Sequence, residues 1–215
     1  IPTDLDDEAQ LEHAVTLTLR TFGRIDVLVT EAGLSVAGPV ADLPPDAVRA
    51  VLERDLWAPL RLAQIVLPGM LAEGKGAIVH VGSGLGRAPA PLFAATVAAQ
   101  AGLVGFTDAL RREVEGMGVQ VVLVLPGWTQ ADQLPSEAAS LIEHSGFRIE
   151  HPDEVAERTI LGLLRGEREV VMGGLLIRVG VWVERFMPGL MRLYWRLRLS
   201  PGWWAAMRGA IGSRE

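Results

Sequence analysis

The chain has 215 residues, 49% hydrophobic and 21% charged, enough apolar material for one domain with a sizeable core and too much for a disordered segment. Its net charge of −6 gives no reason to expect a nucleic-acid partner. The absence of cysteine excludes disulfides, thiol catalysis and cysteine-ligated metals and makes a cytoplasmic setting the default; His13, His80, His144 and His151 are scattered without metal-ligand spacing, so no metal is expected.

Taken in order, Ile1–Leu5 has the pattern of a strand tail ending at Asp4. The chain opens on Ile1 and not Met, with no leader pattern, and is expected to be a fragment or a processed product. From Glu8 to Thr21 the apolar residues Leu11, Ala14, Val15, Leu17 and Leu19 fall at helical spacing, and Gly23 stops the helix. Ile25–Val29 predicts a short strand leading into Thr30-Glu31-Ala32-Gly33. Leu43-Pro44-Pro45-Asp46 starts a long helix expected to end near Pro68-Gly69. Ala77–Val81 predicts a buried parallel strand, closed by Gly82-Ser83-Gly84 and followed by an alanine-rich helix to about Gly116. Val119–Leu125 is the most strand-like run and closes on Pro126-Gly127; a helix from His151 through Leu164 and a last strand at Arg168–Met172 follow. Apolar strands alternating with helix-length crossovers predict an α/β fold, a parallel sheet with helices on both faces.

Residues 175–215 differ in kind. Seven arginines stand there against Glu184 and Glu215, together with Trp182, Trp195, Trp203 and Trp204. Arg178, Glu184, Arg185 and Arg192 interrupt every long apolar run, so a transmembrane helix is not expected. Two readings stay open for this helical extension: amphipathic helices packed on the domain or on a second subunit, or an interfacial segment in peripheral contact with a membrane. The division expected is a domain at 1–174 and an extension at 175–215.

Four motifs in order point to a family. Gly23–Gly33, with its Thr30-Glu31-Ala32-Gly33 turn, resembles the strand and Asn-Asn-Ala-Gly turn of the short-chain dehydrogenase/reductases. Asp55-Leu56-Trp57-Ala58 resembles their Asn-Leu-x-Gly helix segment, Ile78–Ser83 their strand ending in a catalytic serine, and Pro126-Gly127 their Pro-Gly turn. The resemblance covers roughly residues 1–175. It implies a Rossmann-like doubly wound sheet, NAD or NADP as cofactor, a carbonyl or alcohol substrate, and a homodimer or homotetramer paired through the helices at 42–68 and 92–115. It also implies that the family's first strand–helix–strand unit, with its glycine-rich pyrophosphate loop, is missing: no G-x-x-x-G-x-G pattern precedes residue 23.

The family's mechanism rests on a tyrosine acid/base, a lysine four residues later that lowers the tyrosine pKa, a serine thirteen residues earlier that holds the substrate oxygen, and an asparagine that supports a relay water. Carried onto this chain, Ser83 matches the serine, Thr96 stands for the tyrosine, Gln100 for the lysine and Asp55 for the asparagine. A threonine hydroxyl is a far weaker acid than a phenol, whose reference pKa is about 10, and Gln100 has no charge with which to assist it. The only tyrosine, Tyr194, falls in the C-terminal region, and the only lysine, Lys75, precedes the central strand. The cofactor contacts implied are Asp4, Leu5, Thr30, Ala32, Gly33, Pro126, Gly127 and Thr129. The expectation is therefore an oxidoreductase frame impaired or inactive in hydride transfer, a pseudoenzyme. Two alternatives stand beside it: an active oxidoreductase with atypical proton chemistry around Ser83, and a non-catalytic scaffold or membrane-surface protein. Among the single residues, His80 is expected to be a hydrogen-bonded core histidine and Asp55 a helix residue with a structural hydrogen bond. Ser83 is either a remnant of a substrate-binding serine or simply a small strand-end residue.

Overall fold

The computed structural model describes residues 1–31, 33, 35–129, 148–198 and 202. Its centre is a four-stranded parallel sheet in the order β1 (Val27–Glu31), β2 (Gly76–Val81), β3 (Val119–Leu125), β6 (Glu169–Val171). A two-stranded parallel pair, β4 (Trp128–Thr129) and β5 (Ile149–Glu150), stands beside it. The connections carry helices α1 (Glu8–Phe22), α2 (Pro45–Leu52), α3 (Ala58–Glu73), α4 (Ala94–Glu113) and α5 (Pro152–Leu164). Two more, α6 (Gly174–Phe186) and α7 (Pro188–Arg198), follow the last strand. This is the Rossmann-like α/β architecture and the helical C-terminal portion that the sequence predicts.

Side chains alternate across the strands, so each sheet face has its own cover. Ile78 and Val121 pack with Val15, Ala63, Val66, Met70 and Leu110 of α1, α3 and α4. On the opposite face Val79, Val81, Val122, Val124 and Val170 pack with Val155 of α5. On that second face β1 leaves Val27 and Val29 exposed, at 45% and 55%.

Local chemistry sets the element ends. Asp7 caps α1 by accepting from the N–H groups of Ala9 and Gln10, and Gly23, at φ 82°, ends it. Arg61 of α3 reaches both Glu8 and Glu12 of α1, and Arg54 pairs with Asp6 at 2.7 Å. These partly exposed pairs contribute at most about 1 kcal/mol each. A π turn at Glu53–Trp57 separates α2 from α3: the Ala58 N–H bonds five residues back to the Glu53 carbonyl. Pro59, which follows, has no N–H with which to restore the α register.

Three expectations need correction. Ile1–Leu5 is not a strand. No neighbouring strand pairs with it among the described residues, and Asp4 instead closes a turn, accepting from the Asp6 and Asp7 N–H groups through its carboxylate and carbonyl. The strand at 25–29 is shifted to Val27–Glu31. The helix expected to stop at Pro68-Gly69 runs on to Glu73. Gln64, whose carbonyl loses its partner at Pro68, lies on the solvent side, and Met70 immediately beyond is buried in the core, so packing outweighs the missing bond.

The start of β3 sits tightly on the turn before β2. Gly118 has φ +80°, its carbonyl accepts from the Gly76 N–H at 3.3 Å, and a Cβ there would overlap the Gly74 carbonyl oxygen. Gly116 has nearly the same φ, +79°, but open space around it. Gly116→Ala should therefore cost about 1 kcal/mol, and Gly118→Ala more than about 2 kcal/mol, measured as the shift in urea unfolding free energy. Equal losses would show that the backbone angle alone matters.

Candidate functional site

The C-terminal ends of β1, β2 and β3, the end at which an open parallel sheet takes its ligands, converge on the first turns of α4. Of the site positions that the resemblance implies, Gln100 and Asp55 touch, while Thr96 and Ser83 bond neighbouring backbone groups. The π turn delivers Asp55 to the interior, 1% exposed, where its carboxylate accepts from Gln100 Nε2 at 3.3 Å. Gln100, itself 2% exposed, leaves its Oε1 buried without a hydrogen-bond partner, 2.7 Å from where a Cβ on Gly82 would lie. Thr96, one turn earlier on α4, is buried and faces the segment after β1. Its Oγ1 accepts from the Val36 N–H at 3.1 Å and donates to the Val36 carbonyl at 3.3 Å. The Gly38 N–H reaches the Leu92 carbonyl at 2.8 Å, so the segment is fastened to the start of α4 at a second point. Leu92 sits at φ 73°, a left-handed conformation costing a non-glycine residue about 1–2 kcal/mol, and burial holds it there.

Ser83 stands at the end of β2 and caps the 3-10 turn Gly84–Gly86, its Oγ accepting from the Leu85 N–H at 3.2 Å. The Gly84 N–H donates to the Pro126 carbonyl at 2.8 Å, tying the serine turn to the Pro126-Gly127 turn. Gly127 is enclosed as well: its N–H donates to Glu150 Oε2 at 2.9 Å, and the other oxygen of Glu150 accepts from the Gly173 N–H at 2.7 Å. A Cβ on Gly127 would lie 2.6 Å from both Gly173 Cα and Ile177 Cδ1. Trp128 meets Phe93 edge-on, with ring centroids 5.4 Å apart, and so packs against the start of α4.

The family model for short chain dehydrogenases matches residues 1–140. The chain is also 28% identical over 203 residues to dehydrogenase/reductase SDR family member 7B of Bos taurus, covering 92% of this chain and 62% of that protein. It is 30% identical over 194 residues to SDR family member 7C of Xenopus tropicalis, covering 87% and 62%. With the ketoacyl reductase HetN of Nostoc sp. it shares 30% identity over 173 residues, covering 80% and 60%. The chain belongs to the short-chain dehydrogenase/reductase family. It spans about three-fifths of the length of these relatives.

Short-chain dehydrogenase/reductases generally bind NAD(P). Of the positions where the family resemblance puts cofactor contacts, Thr30, Pro126 and Gly127 lie at the C-terminal ends of β1 and β3. Asp4 is exposed in its turn, Leu5 is half-buried beside it, and Gly33 is exposed; Ala32 lies outside the described residues. Thr30 is buried and hydrogen-bonds His80 Nδ1 at 2.7 Å. Pro126 and Gly127 are held as described, and Thr129 pairs with Glu150 in the small β4–β5 ladder. Lys75, at the opposite end of β2 from Ser83, lies 3.8 Å from Asp26. Tyr194 lies on α7, edge-on to Trp195 with centroids 5.1 Å apart.

Three participants carry no sequence signal. Glu150 is a lone acid before His151-Pro152, and only the folded chain brings it to Gly127 and Gly173. Val36 acts through its backbone, which no residue type encodes. Ile177 is one apolar residue among many in α6, and its role as the filler over Gly84, Gly127 and Gly173 depends on their missing side chains.

His80 is fully buried, against Thr30 and Phe106, and burial pushes its pKa down from 6.5 to about 4. The unfolded chain thus binds a proton between pH 6.5 and 4 that the folded chain refuses, so stability falls as pH falls through that window. The loss amounts to about 3 kcal/mol. Urea unfolding from pH 7 to pH 4.5 should show this slope, and His80→Gln should flatten it; an unchanged slope in the variant would assign it to the carboxylates.

Proposed function

We propose that this chain is a short-chain dehydrogenase/reductase frame converted to a non-catalytic binding role, impaired or inactive in the family's hydride transfer. The observation carrying this reading is the state of Thr96. The hydroxyl at the acid/base position is a weak acid, it is buried, and both its donor and its acceptor capacity face the Val36 backbone. The group four residues on is the neutral Gln100, whose amide is engaged with Asp55. Loss of a positioned general acid alone is worth about 10²–10⁴-fold in rate.

The residues at the nicotinamide end do not fit NAD(P) well: the Gly127 amide is held by a carboxylate, and the Gly127 face is filled by Gly173 and Ile177. An open, mainly apolar cavity of ≈ 510 Å³ lies nearby, between Pro89–Pro91, the first turns of α4, and Met191 and Trp195 of α7. It supports a small apolar molecule as the ligand class of the binding role.

The test is a fluorescence titration with NADH and with NADPH, together with the double variant Thr96→Tyr, Gln100→Lys. We expect no saturation below about 1 mM, the upper end of common KM values, and no carbonyl reduction by either protein. Micromolar cofactor binding would overturn the binding-frame reading and favour an oxidoreductase with Ser83 orienting the substrate. Turnover in the double variant alone would show that the cofactor site is intact and only the proton chemistry is lost.

A further inference from the structure

The feature left unused by this reading is the outer face of α6 and α7. Leu175, Val179, Trp182 and Phe186 fall at i, i+4, i+7 and i+11 of α6, one face of the helix, and are 78%, 46%, 57% and 60% exposed. Leu190, Leu193 and Leu197 repeat the pattern on α7 at 49%, 50% and 76% exposed. The inner face of α6 is fixed to the domain by Ile177, which packs on Gly84, Gly127 and Gly173. The apolar row therefore points away from the core.

The charges flanking the row are almost all of one sign. Residues 174–198 hold Arg178, Arg185, Arg192, Arg196 and Arg198 against Glu184 alone. Glu184 is half-buried, half a helical turn away from the row, where it lines the apolar cavity with Pro188, Arg192 and Trp195, so Arg178, Arg185 and Arg196 are the charges beside the row. Arg185 also borders a second cleft, of ≈ 250 Å³, with Arg87, Arg111, Arg112 and Arg168. The acids there, Asp108 and Glu115, pair with Arg87, Arg111 and Arg168. Arg112 and Arg185 make no ion pair among the described residues.

We propose that this face is a docking surface for an anionic lipid bilayer. A tryptophan, a phenylalanine and leucines along one side, with arginines beside them, suit the boundary between acyl chains and headgroups, where each arginine meets lipid phosphate. At 13 and 11 residues α6 and α7 are too short to cross a bilayer, and no helix among the described residues is long and apolar enough to do so. The helices would lie in the plane of the surface. A second copy of this chain is the poorer occupant: a two-fold contact sets the same patch against itself, and that would place arginine rows opposite arginine rows with no exposed acid between them.

The experiment is cosedimentation of the full chain with vesicles of phosphatidylcholine alone and of phosphatidylcholine with about a third phosphatidylserine. Binding to the anionic vesicles alone is expected, lost on raising the salt. Arg178→Gln, Arg185→Gln and Arg196→Gln together should weaken it at least tenfold, at about fivefold per arginine near an anionic surface. Trp182→Ser with Phe186→Ser should abolish it. All five positions are exposed, and circular dichroism checks that each variant folds; the arginine variant stands as the test if the apolar one does not. No sedimentation, or equal sedimentation with both vesicles, overturns the proposal. So does a lipid-free dimer in light scattering that Trp182→Ser dissolves.

Discussion

Strand β2 has a parallel neighbour on each edge and helices packed on both faces, and every group leaving its C-terminal end must be satisfied inside that enclosure. Unpaired polar groups buried there would cost about 1–3 kcal/mol each. The chain meets the requirement locally. His80 turns its Nδ1 to Thr30, its register partner on β1. Gly82 donates its N–H to Val124 on β3, and Ser83 spends its hydroxyl on the Leu85 amide. Gly84 hands its N–H to Pro126. Two buried side-chain atoms near this end, His80 Nε2 and Gln100 Oε1, are left without a hydrogen-bond partner. A site built for chemistry keeps donors and acceptors open toward a ligand; here most are closed upon one another.

The pair in the first turns of α4, Thr96 and Gln100, is neutral and is satisfied in the same local way. Gln100 meets Asp55 in a space with almost no solvent, where its amide gives the Asp55 side chain a neutral hydrogen-bond donor. Its length also fits: the amide reaches across to the π turn while its oxygen rests against Gly82, where even a methyl group would collide. Thr96 is short enough to bond the Val36 backbone directly. Those two bonds tie residue 36 to α4 through residue 96.

The elements that rest on periodicity were legible in the sequence. The apolar runs of β2 and β3, the stripe of α1 and the proline-started α5 are each dictated by their own residues, and the order of four short motifs identified the family. Legibility failed where a neighbour decides. Ile1–Leu5 has strand composition, but a strand exists only beside another strand. Pro68 looks like a stop, but its lost hydrogen bond falls on solvent while Met70 falls in the core. The site divided in the same way. Ser83, Thr96, Gln100 and Asp55 were named by resemblance to the family's motif, whereas the Glu150 clasp and the Val36 bonds join residues distant in sequence through backbone atoms, which leave no trace in residue type.

Those long-range bonds also join two parts of the molecule that composition separates. The arginine- and tryptophan-rich C-terminal region looks like an appendage, yet its first helix starts at Gly173, whose amide shares the Glu150 carboxylate with Gly127. Ile177, one turn into α6, closes over Gly84 and Gly127 at once. The serine turn, the Pro126-Gly127 turn and the root of α6 are therefore a single packed unit, and α6 cannot swing without uncovering all three. A carboxylate holding two buried amides is a stiff joint, because breaking it strands both donors. The outer face of α6 is thus presented at a fixed angle to the end of the sheet, while the apolar cavity under α7 lies on the other side of the helix, where Glu184 lines it.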